Sequence, residues 1–122
     1  MPTADAGRVV AVVKDLFFVA RIRETARLAG APIEFARTPE ELATAVAAGQ
    51  PPLVLMDLTT PGWDYEALFG AIDSLTPRPS VLAFTTHALA AQTKPLHARC
   101  DRVVTKETLT RELGDILRGV LK

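Results

Sequence analysis

The sequence has a single cysteine, a single tryptophan and no excess of charge of either sign. Because Cys100 is the only thiol, the chain forms no internal disulfide, which is typical of proteins from a reducing compartment. Lysine plus arginine and aspartate plus glutamate number 14 each, so the net charge is zero. A neutral chain gives no electrostatic footprint for nucleic acid and no polybasic attraction to a membrane surface.

Long apolar runs and targeting signals are also missing. Residues 1–5 show no basic segment followed by an apolar run, so no signal peptide is predicted. The longest apolar stretches, Val9–Val13 and Leu16–Ala20, are much shorter than the ~20 residues that span a bilayer. We therefore expect a cytoplasmic protein with neither a membrane nor a nucleic acid as its partner.

The composition fits one globular domain. The chain has 122 residues, of which 48% are hydrophobic and 23% charged. This is enough apolar material for a core that needs no disulfide or metal to stay folded. We predict a single domain over residues 1–122, with its core at about 8–121.

Short apolar runs alternate with helical patterns along the chain. The runs are continuous rather than alternating, which is typical of strands covered on both faces. They lie at Val9–Val13, Ile33–Ala36, Leu53–Met56, Val81–Phe84 and Val103–Val104. Five such units predict an α/β protein with a doubly wound parallel sheet, of the flavodoxin-like (βα)5 type with strand order 2-1-3-4-5.

Helix boundaries are marked as well. The segment 38–41, Thr-Pro-Glu-Glu, predicts a capping box with proline at the first helical position. Asp64 and Thr105 are predicted caps of the two helices that follow them. Pro95 predicts that the fourth helix is short, broken or restarted there, because proline is costly inside a helix.

The polar residues that follow the strands are the candidates for chemistry. In an open parallel sheet, ligands bind beyond the carboxyl ends of the strands. Those ends carry Lys14 and Asp15, Asp57, Thr85, and Lys106. A carboxylate can attack phosphorus, a second carboxylate can help to hold Mg²⁺, and a lysine and a hydroxyl can bind phosphoryl oxygens.

With these residues in place, the sequence resembles the receiver domains of two-component response regulators. The strongest stretch is residues 53–64, LVLMDLTTPGWD, an apolar strand, an aspartate and a loop with proline. The resemblance implies that Asp57 is the phospho-acceptor and that the Thr59 backbone carbonyl is a metal ligand. It further implies that Asp15 belongs to an Mg²⁺ site and that Thr85 and Lys106 contact the phosphoryl group.

The resemblance also implies partners. A histidine kinase or phosphotransfer protein would donate the phosphoryl group, and a downstream protein would bind the face of helix 4, strand 5 and helix 5. The sequence leaves open whether the protein forms a homodimer. The expected role is therefore phosphorelay signalling by a stand-alone receiver, not enzymatic metabolism.

Three positions depart from the family pattern and keep alternatives open. Lys14 stands where the family has an acid, which weakens the attraction for Mg²⁺. Glu107 follows Lys106 in place of a proline, and Val103 takes the position of an aromatic residue. These changes resemble a pseudo-receiver, a phosphorylation-independent interaction module in which Lys14 would pair with Asp57. A flavodoxin-like ligand binder is a further alternative, because fold alone does not define function.

Overall fold

The structure is a computed structural model that describes residues 8–48, 51–75 and 77–121, without the side chains of 120 and 121. Residues 1–7 and 122 of the predicted domain lie outside this description. The described part contains five strands in alternation with five α-helices. They are β1 Val9–Val12, α1 Leu16–Ala29, β2 Ile33–Ala36, α2 Pro39–Ala48, β3 Leu53–Asp57, α3 Tyr65–Asp73, β4 Ser80–Thr85, α4 Ala90–His97, β5 Arg102–Thr105 and α5 Lys106–Leu121.

The strands form one parallel sheet in the order β2-β1-β3-β4-β5. The predicted fold class and strand order are therefore confirmed. Within the register, Asp57 lies opposite Phe84, and Thr85 lies opposite Thr105. The last residues of β3, β4 and β5 thus meet at one edge of the sheet, where parallel strands present any ligand site.

Two apolar layers cover the two faces of the sheet. On one face, α1 and α5 pack against alternate strand residues such as Ala11, Leu55 and Phe84. On the other, α2 and α3 pack against the intervening residues, such as Val12 and Met56. Because successive strand side chains point to opposite faces, this two-sided burial explains why the strand sequences are continuously apolar.

Side-chain caps begin the helices as the sequence predicts, with one difference. Asp64 Oδ1 accepts from the Ala67 amide at 3.0 Å, and Thr105 Oγ1 accepts from the Thr108 amide at 3.2 Å. At α2, Thr38 Oγ1 accepts from the Glu41 amide at 3.0 Å. The Glu41 carboxylate, however, accepts from the amide of Arg37 at 2.7 Å. The reciprocal half of the predicted capping box is therefore shifted by one residue.

The fourth helix is short, as predicted, but it is not interrupted at its proline. A 3-10 turn at His87–Leu89 leads directly into α4, which contains Pro95. The change from 3-10 to α geometry comes at Ala90. Pro95 has no amide hydrogen for the Ala91 carbonyl, so this helix lacks one internal hydrogen bond.

No helix in the described ranges combines the length and the apolarity of a bilayer-spanning segment.

Candidate functional site

A small cleft of about 300 Å³ lies at the carboxyl edge of the sheet. It is lined by the residues that follow β1 and β3 and by the first residue of α5. These are Lys14, Asp15, Asp57, Thr59, Thr60, Pro61 and Lys106. Parallel strands all end at this edge, so the topology brings together residues that are about 90 positions apart in the sequence.

Asp57 ends β3 and is 3% exposed, which makes it a buried carboxylate at the base of the cleft. Its Oδ1 accepts from the Thr59 amide at 2.7 Å and from the Thr59 hydroxyl at 2.5 Å. Its Oδ2 accepts from the Thr60 hydroxyl at 3.3 Å. These bonds satisfy a buried charge that would otherwise be costly. The longer contact leaves Oδ2 the less committed oxygen.

Tyr65 holds the loop that carries these threonines. Its hydroxyl lies 2.9 Å from the Asp57 carbonyl and 3.3 Å from the Thr60 carbonyl, to which it can donate. It accepts from the Thr60 amide at 3.2 Å. Burial, with the nearby charge of Asp57 as a smaller cause, raises the pKa of Tyr65 to about 12. The phenol is therefore a neutral donor at physiological pH, and it ties both ends of the loop together.

Asp15 and Lys106 are linked across the cleft. Asp15 caps α1, because its Oδ1 accepts from the Phe17 amide at 2.9 Å and from the Phe18 amide at 3.3 Å. Its other oxygen, Oδ2, lies 3.7 Å from Nζ of Lys106. The same ammonium lies 4.7 Å from the centre of the Phe18 ring. Lys106 is thus held over the cleft by a carboxylate and an aromatic face.

Lys14 lines the cleft with an exposed side chain. Among the described residues, no ion pair joins it to Asp57; the carboxylate is satisfied by hydroxyls instead. The fixed Lys14–Asp57 pair considered for a pseudo-receiver is therefore not formed in the structure. Lys14 therefore adds a positive charge to the cleft that Asp15 and Asp57 also line.

Thr85 ends β4 but does not line the cleft. Its side chain is buried, and its Oγ1 lies 3.1 Å from Oγ1 of Thr93 on α4. Thr93 is buried too and lies 2.8 Å from Nε2 of His97. The sequence places Thr85 at the correct strand end, whereas the structure directs its hydroxyl toward α4. His97 is half-buried and hydrogen-bonded to Thr93, whereas His87 is exposed.

The cleft offers the minimum set of oxygen ligands for Mg²⁺, two carboxylates, together with an opposing lysine. Mg²⁺ needs one or two carboxylates and completes its shell with waters and phosphate oxygens. Asp15 and Asp57 each keep an Oδ2 with spare lone pairs, and Thr59, whose carbonyl the family resemblance implies as a ligand, lines the same cleft. Within the described ranges, no group of three or more histidine, cysteine or acidic side chains could hold a metal. The Lys14 ammonium opposes a cation at this place.

A larger hollow of about 720 Å³ lies elsewhere, beside the edge strand β2. Its lining mixes both signs of charge, with Arg23, Glu34 and Arg37 among it, and the Arg23 guanidinium lies over the Phe35 ring at 5.0 Å. It contains none of Asp15, Asp57 and Lys106. Size alone is a poor guide here, because the smaller cleft holds the converging polar groups.

The cleft brings together residues that the sequence singles out, whereas part of its hydrogen bonding was not predicted. The cleft contains Asp15, Asp57, Thr59 and Lys106 together. The roles of Thr60, Tyr65 and Thr93 were not foreseen. The contact of Asp57 with the Thr59 amide follows a local rule, since aspartate side chains often accept from a backbone amide two residues on, but no comparable rule marks the Thr60 hydroxyl. No sequence signal connects Tyr65 or Thr93 to the site, because their contacts depend on helix packing.

No protein-family model and no curated protein matches this chain. Solved structures do match. A response-regulator receiver domain from Bermanella marisrubri aligns with a TM-score of 0.77 at 16% identity, over 96% of this chain and 99% of that chain. The chemotaxis response regulator CheY4 of Vibrio cholerae aligns with a TM-score of 0.75 at 18% identity, over 93% and 98%.

A third match is the receiver domain of sensor histidine kinase PA1611 from Pseudomonas aeruginosa PAO1. It aligns with a TM-score of 0.75 at 19% identity, over 93% of this chain and 96% of that chain. That structure is described with a magnesium ion coordinated in its active-site cleft. At such identities the similarity concerns the fold.

Proposed function

Because the chain has the fold of response-regulator receiver domains, we propose that it is a signalling receiver that accepts a phosphoryl group on Asp57. The observation that carries this proposal is the buried Asp57 carboxylate, which forms the base of a cleft shared with Asp15 and Lys106. A buried carboxylate beside a lysine, at the edge where parallel strands end, is suited to nucleophilic attack on phosphorus. The single receiver module and its signalling through protein contacts belong to the same proposal.

The proposed reaction is a transfer between two nucleophiles. An Asp57 carboxylate oxygen attacks the phosphorus of a phosphohistidine on a partner kinase or phosphotransfer protein. A P–O bond forms, the P–N bond breaks, and the leaving imidazole takes up a proton. The product is an acyl phosphate on Asp57, and no oxidant or reductant is needed.

The residues of the cleft have separate tasks in this reaction. The threonine hydroxyls orient the Asp57 carboxylate and keep Oδ2 the more available oxygen, and Tyr65 holds the loop that carries them. Lys106 supplies positive charge for the phosphoryl oxygens once it leaves Asp15, from which it is 3.7 Å away. Asp15, Asp57 and the Thr59 carbonyl would hold Mg²⁺. The ion supplies charge neutralisation for the transferring phosphoryl group.

Acetyl phosphate tests the proposal without knowledge of the cognate kinase. The protein is incubated with this donor and Mg²⁺, and its intact mass is measured. We expect the mass of one added phosphoryl group in the parent protein and in Asp64→Asn, but none in Asp57→Asn. Asp64 is a matched control because it lies in the same loop and asparagine caps a helix as well as aspartate does. An adduct that persists in Asp57→Asn would refute the proposal.

The second candidate is a pseudo-receiver, an interaction module that works without phosphorylation. The observation that favours it is Lys14, a basic residue that lines the same cleft as Asp15 and Asp57. Asp15 is also already engaged as a helix cap and with Lys106. In that case the parent protein gains no phosphoryl mass, whereas Lys14→Asp, which restores an acid, binds Mg²⁺ more tightly.

A further inference from the structure

We propose that Thr93 is a positioning residue that holds Thr85 away from the cleft, and that a hydrogen-bonded chain Thr85–Thr93–His97 reports the position of Thr85 to α4. The inference rests on the proposed function, because it concerns how the phosphoryl site is coupled to a helix. It begins from contacts that lie outside the cleft. The Oγ1 atoms of Thr85 and Thr93 are 3.1 Å apart, and Thr93 Oγ1 lies 2.8 Å from His97 Nε2.

Burial makes the first of these contacts significant. Thr85 is 4% exposed and Thr93 is 5% exposed, so both hydroxyls depend mainly on protein partners for their hydrogen bonds. Among the described residues, Thr93 is the hydrogen-bond partner found for the Thr85 hydroxyl. A buried hydroxyl without a partner is costly, so Thr93 stabilises the orientation in which Thr85 faces α4.

The single hydroxyl proton of Thr93 couples its hydrogen bond with Thr85 to its hydrogen bond with His97. Its hydroxyl has one proton and three neighbours: Thr85 Oγ1, the Ala90 carbonyl at 3.3 Å, and His97 Nε2. It can donate to one of them at a time, and it can accept only from the Thr85 hydroxyl or from an N–H at His97 Nε2, because the Ala90 carbonyl is itself an acceptor. When Thr85 leaves, Thr93 redistributes its proton between Ala90 and His97, so the imidazole senses the change.

Free space beside α4 permits the helix to move when Thr85 turns away from Thr93. A cavity of about 440 Å³ separates α4 from the loop after β3. Its lining includes Thr93, Leu89 and Leu96 on the α4 side and Thr60 and Tyr65 on the loop side. A helix with a gap beside it and a proline within it can adjust without disturbing the packed core.

The consequence concerns ligand affinity. A phosphoryl group on Asp57, or an analogue of it, gains a donor if the Thr85 hydroxyl turns into the cleft. That turn breaks the bond to Thr93. Thr93 therefore opposes engagement of Thr85, and a variant without the Thr93 hydroxyl engages more readily.

The test uses trifluoroberyllate with Mg²⁺, a phosphoryl analogue that coordinates a carboxylate. Its affinity is measured by calorimetry for the parent protein, Thr93→Val and Thr93→Ser. We expect Thr93→Val to bind roughly 2- to 10-fold more tightly, the factor that corresponds to one neutral hydrogen bond. Thr93→Ser keeps the hydroxyl and should match the parent. Thr25→Val is the control, since the Thr25 hydroxyl bonds only within α1, to the Arg21 carbonyl at 3.0 Å.

The imidazole of His97 provides a readout that a purely structural role would not move. We expect its nuclear magnetic resonance signals to shift when trifluoroberyllate binds to the parent protein and to stay fixed in Thr93→Val. Equal or weaker binding by a folded Thr93→Val protein would overturn the inference. So would His97 signals that ignore the analogue in the parent protein.

A protein that binds no trifluoroberyllate would count against the proposed function. The hydrogen-bonded relay Thr85–Thr93–His97 would still be tested separately. In the free protein, Thr85→Val removes one end of the chain while Thr85→Ser retains it. The relay predicts that the His97 signals differ from the parent in Thr85→Val and not in Thr85→Ser. Unchanged signals in Thr85→Val would refute the relay whatever the fate of the phosphoryl site.

Discussion

At the scale of single residues, the charge balance of the cleft depends on Lys14. Two carboxylates, Asp15 and Asp57, share the cleft with two ammonium groups, Lys14 and Lys106. Lys106 is offset by Asp15 at 3.7 Å, whereas Lys14 forms no ion pair with Asp57. Lys14 is therefore the charge whose removal should most improve the binding of a cation.

The substitution Lys14→Asp tests this reasoning. It changes the local charge by two units, so we expect Mg²⁺ affinity to rise at least about 30-fold, because two unit charges at contact distance in water interact by roughly 1 kcal/mol and each ~1.4 kcal/mol is a factor of ten. Isothermal titration calorimetry measures the affinity. Lys94→Asp on α4 carries the same charge change at an exposed position that does not line the cleft, and should leave the affinity near that of the parent. Equal gains in both variants would indicate a long-range charge effect and remove Lys14 from the site.

Tyr65 is the other residue with a separable effect. Tyr65→Phe deletes the hydroxyl that bonds the Asp57 carbonyl and Thr60, and should lower the free energy of unfolding by about 1 to 2 kcal/mol. Urea denaturation near neutral pH measures the loss. A folded Tyr65→Phe protein with the stability of the parent would mean that these bonds contribute nothing.

The pH dependence of that difference has a definite sign. The folded pKa of Tyr65, about 12, lies above its ordinary value of 10.0 because burial disfavours the phenolate. The stabilisation is therefore fully present below pH 10 and declines as the pH rises toward 12. We expect the stability gap between the parent and Tyr65→Phe to narrow over this range. A stability difference that widens as the pH rises would contradict the conclusion that Tyr65 is held as a neutral, buried phenol.

The sequence identifies the acidic residues of the cleft but not the hydrogen bonds around them. Asp57 and Asp15 are recognisable because each is an acid that follows a continuous apolar strand, at the edge where a parallel sheet binds ligands. The hydroxyl bonds to Asp57 and the direction of the Thr85 side chain are not encoded locally. They depend on where α3 and α4 pack, which short-range patterns do not determine.

At the scale of elements, α4 is the least regular part of the described chain. It has eight residues, follows a 3-10 turn and contains Pro95, and its buried side chain is Thr93. The other helices bury three or more apolar side chains each, where their burial is given. Few buried apolar contacts and a missing backbone hydrogen bond make α4 the element that opens most easily.

Replacement of the proline tests that view. Pro95→Ala restores an amide that can bond the Ala91 carbonyl, so we expect the free energy of unfolding to rise by about 1 to 3 kcal/mol. Hydrogen exchange of the α4 amides should slow in parallel. Pro39→Ala is the control, because Pro39 occupies the first position of α2, where proline is well tolerated. If Pro95→Ala leaves exchange in α4 unchanged, the proline is not what weakens the helix.

Element existence was predictable because the signals are local. Each strand is a continuous apolar run, and β2 matches its predicted bounds at Ile33–Ala36. The observed β3 and β4 extend beyond their apolar cores to Asp57 and Thr85. Pairing with neighbouring strands, which sequence periodicity does not reveal, incorporates these polar ends into the sheet. That extension fixes the positions of both functional candidates.

At the scale of the whole molecule, topology produces the site. The order β2-β1-β3-β4-β5 makes β1 and β3 neighbours, so Asp15 and Asp57 reach one cleft although they are far apart in the sequence. Lys106 joins them because α5 begins directly at the end of β5. This gathering was predictable, since the rule for parallel sheets needs only the strand order. The resting contacts of each side chain were not, because they depend on competing partners.

The most direct test of the central claim is to locate the acyl phosphate chemically. After reaction with acetyl phosphate and Mg²⁺, the protein is reduced with borohydride, which converts a phosphorylated aspartate to homoserine, and its peptides are mapped by mass spectrometry. We expect homoserine at position 57 alone, with none when the donor is omitted. Homoserine at another aspartate, or none anywhere, would contradict the assignment of Asp57 as the phosphoryl acceptor.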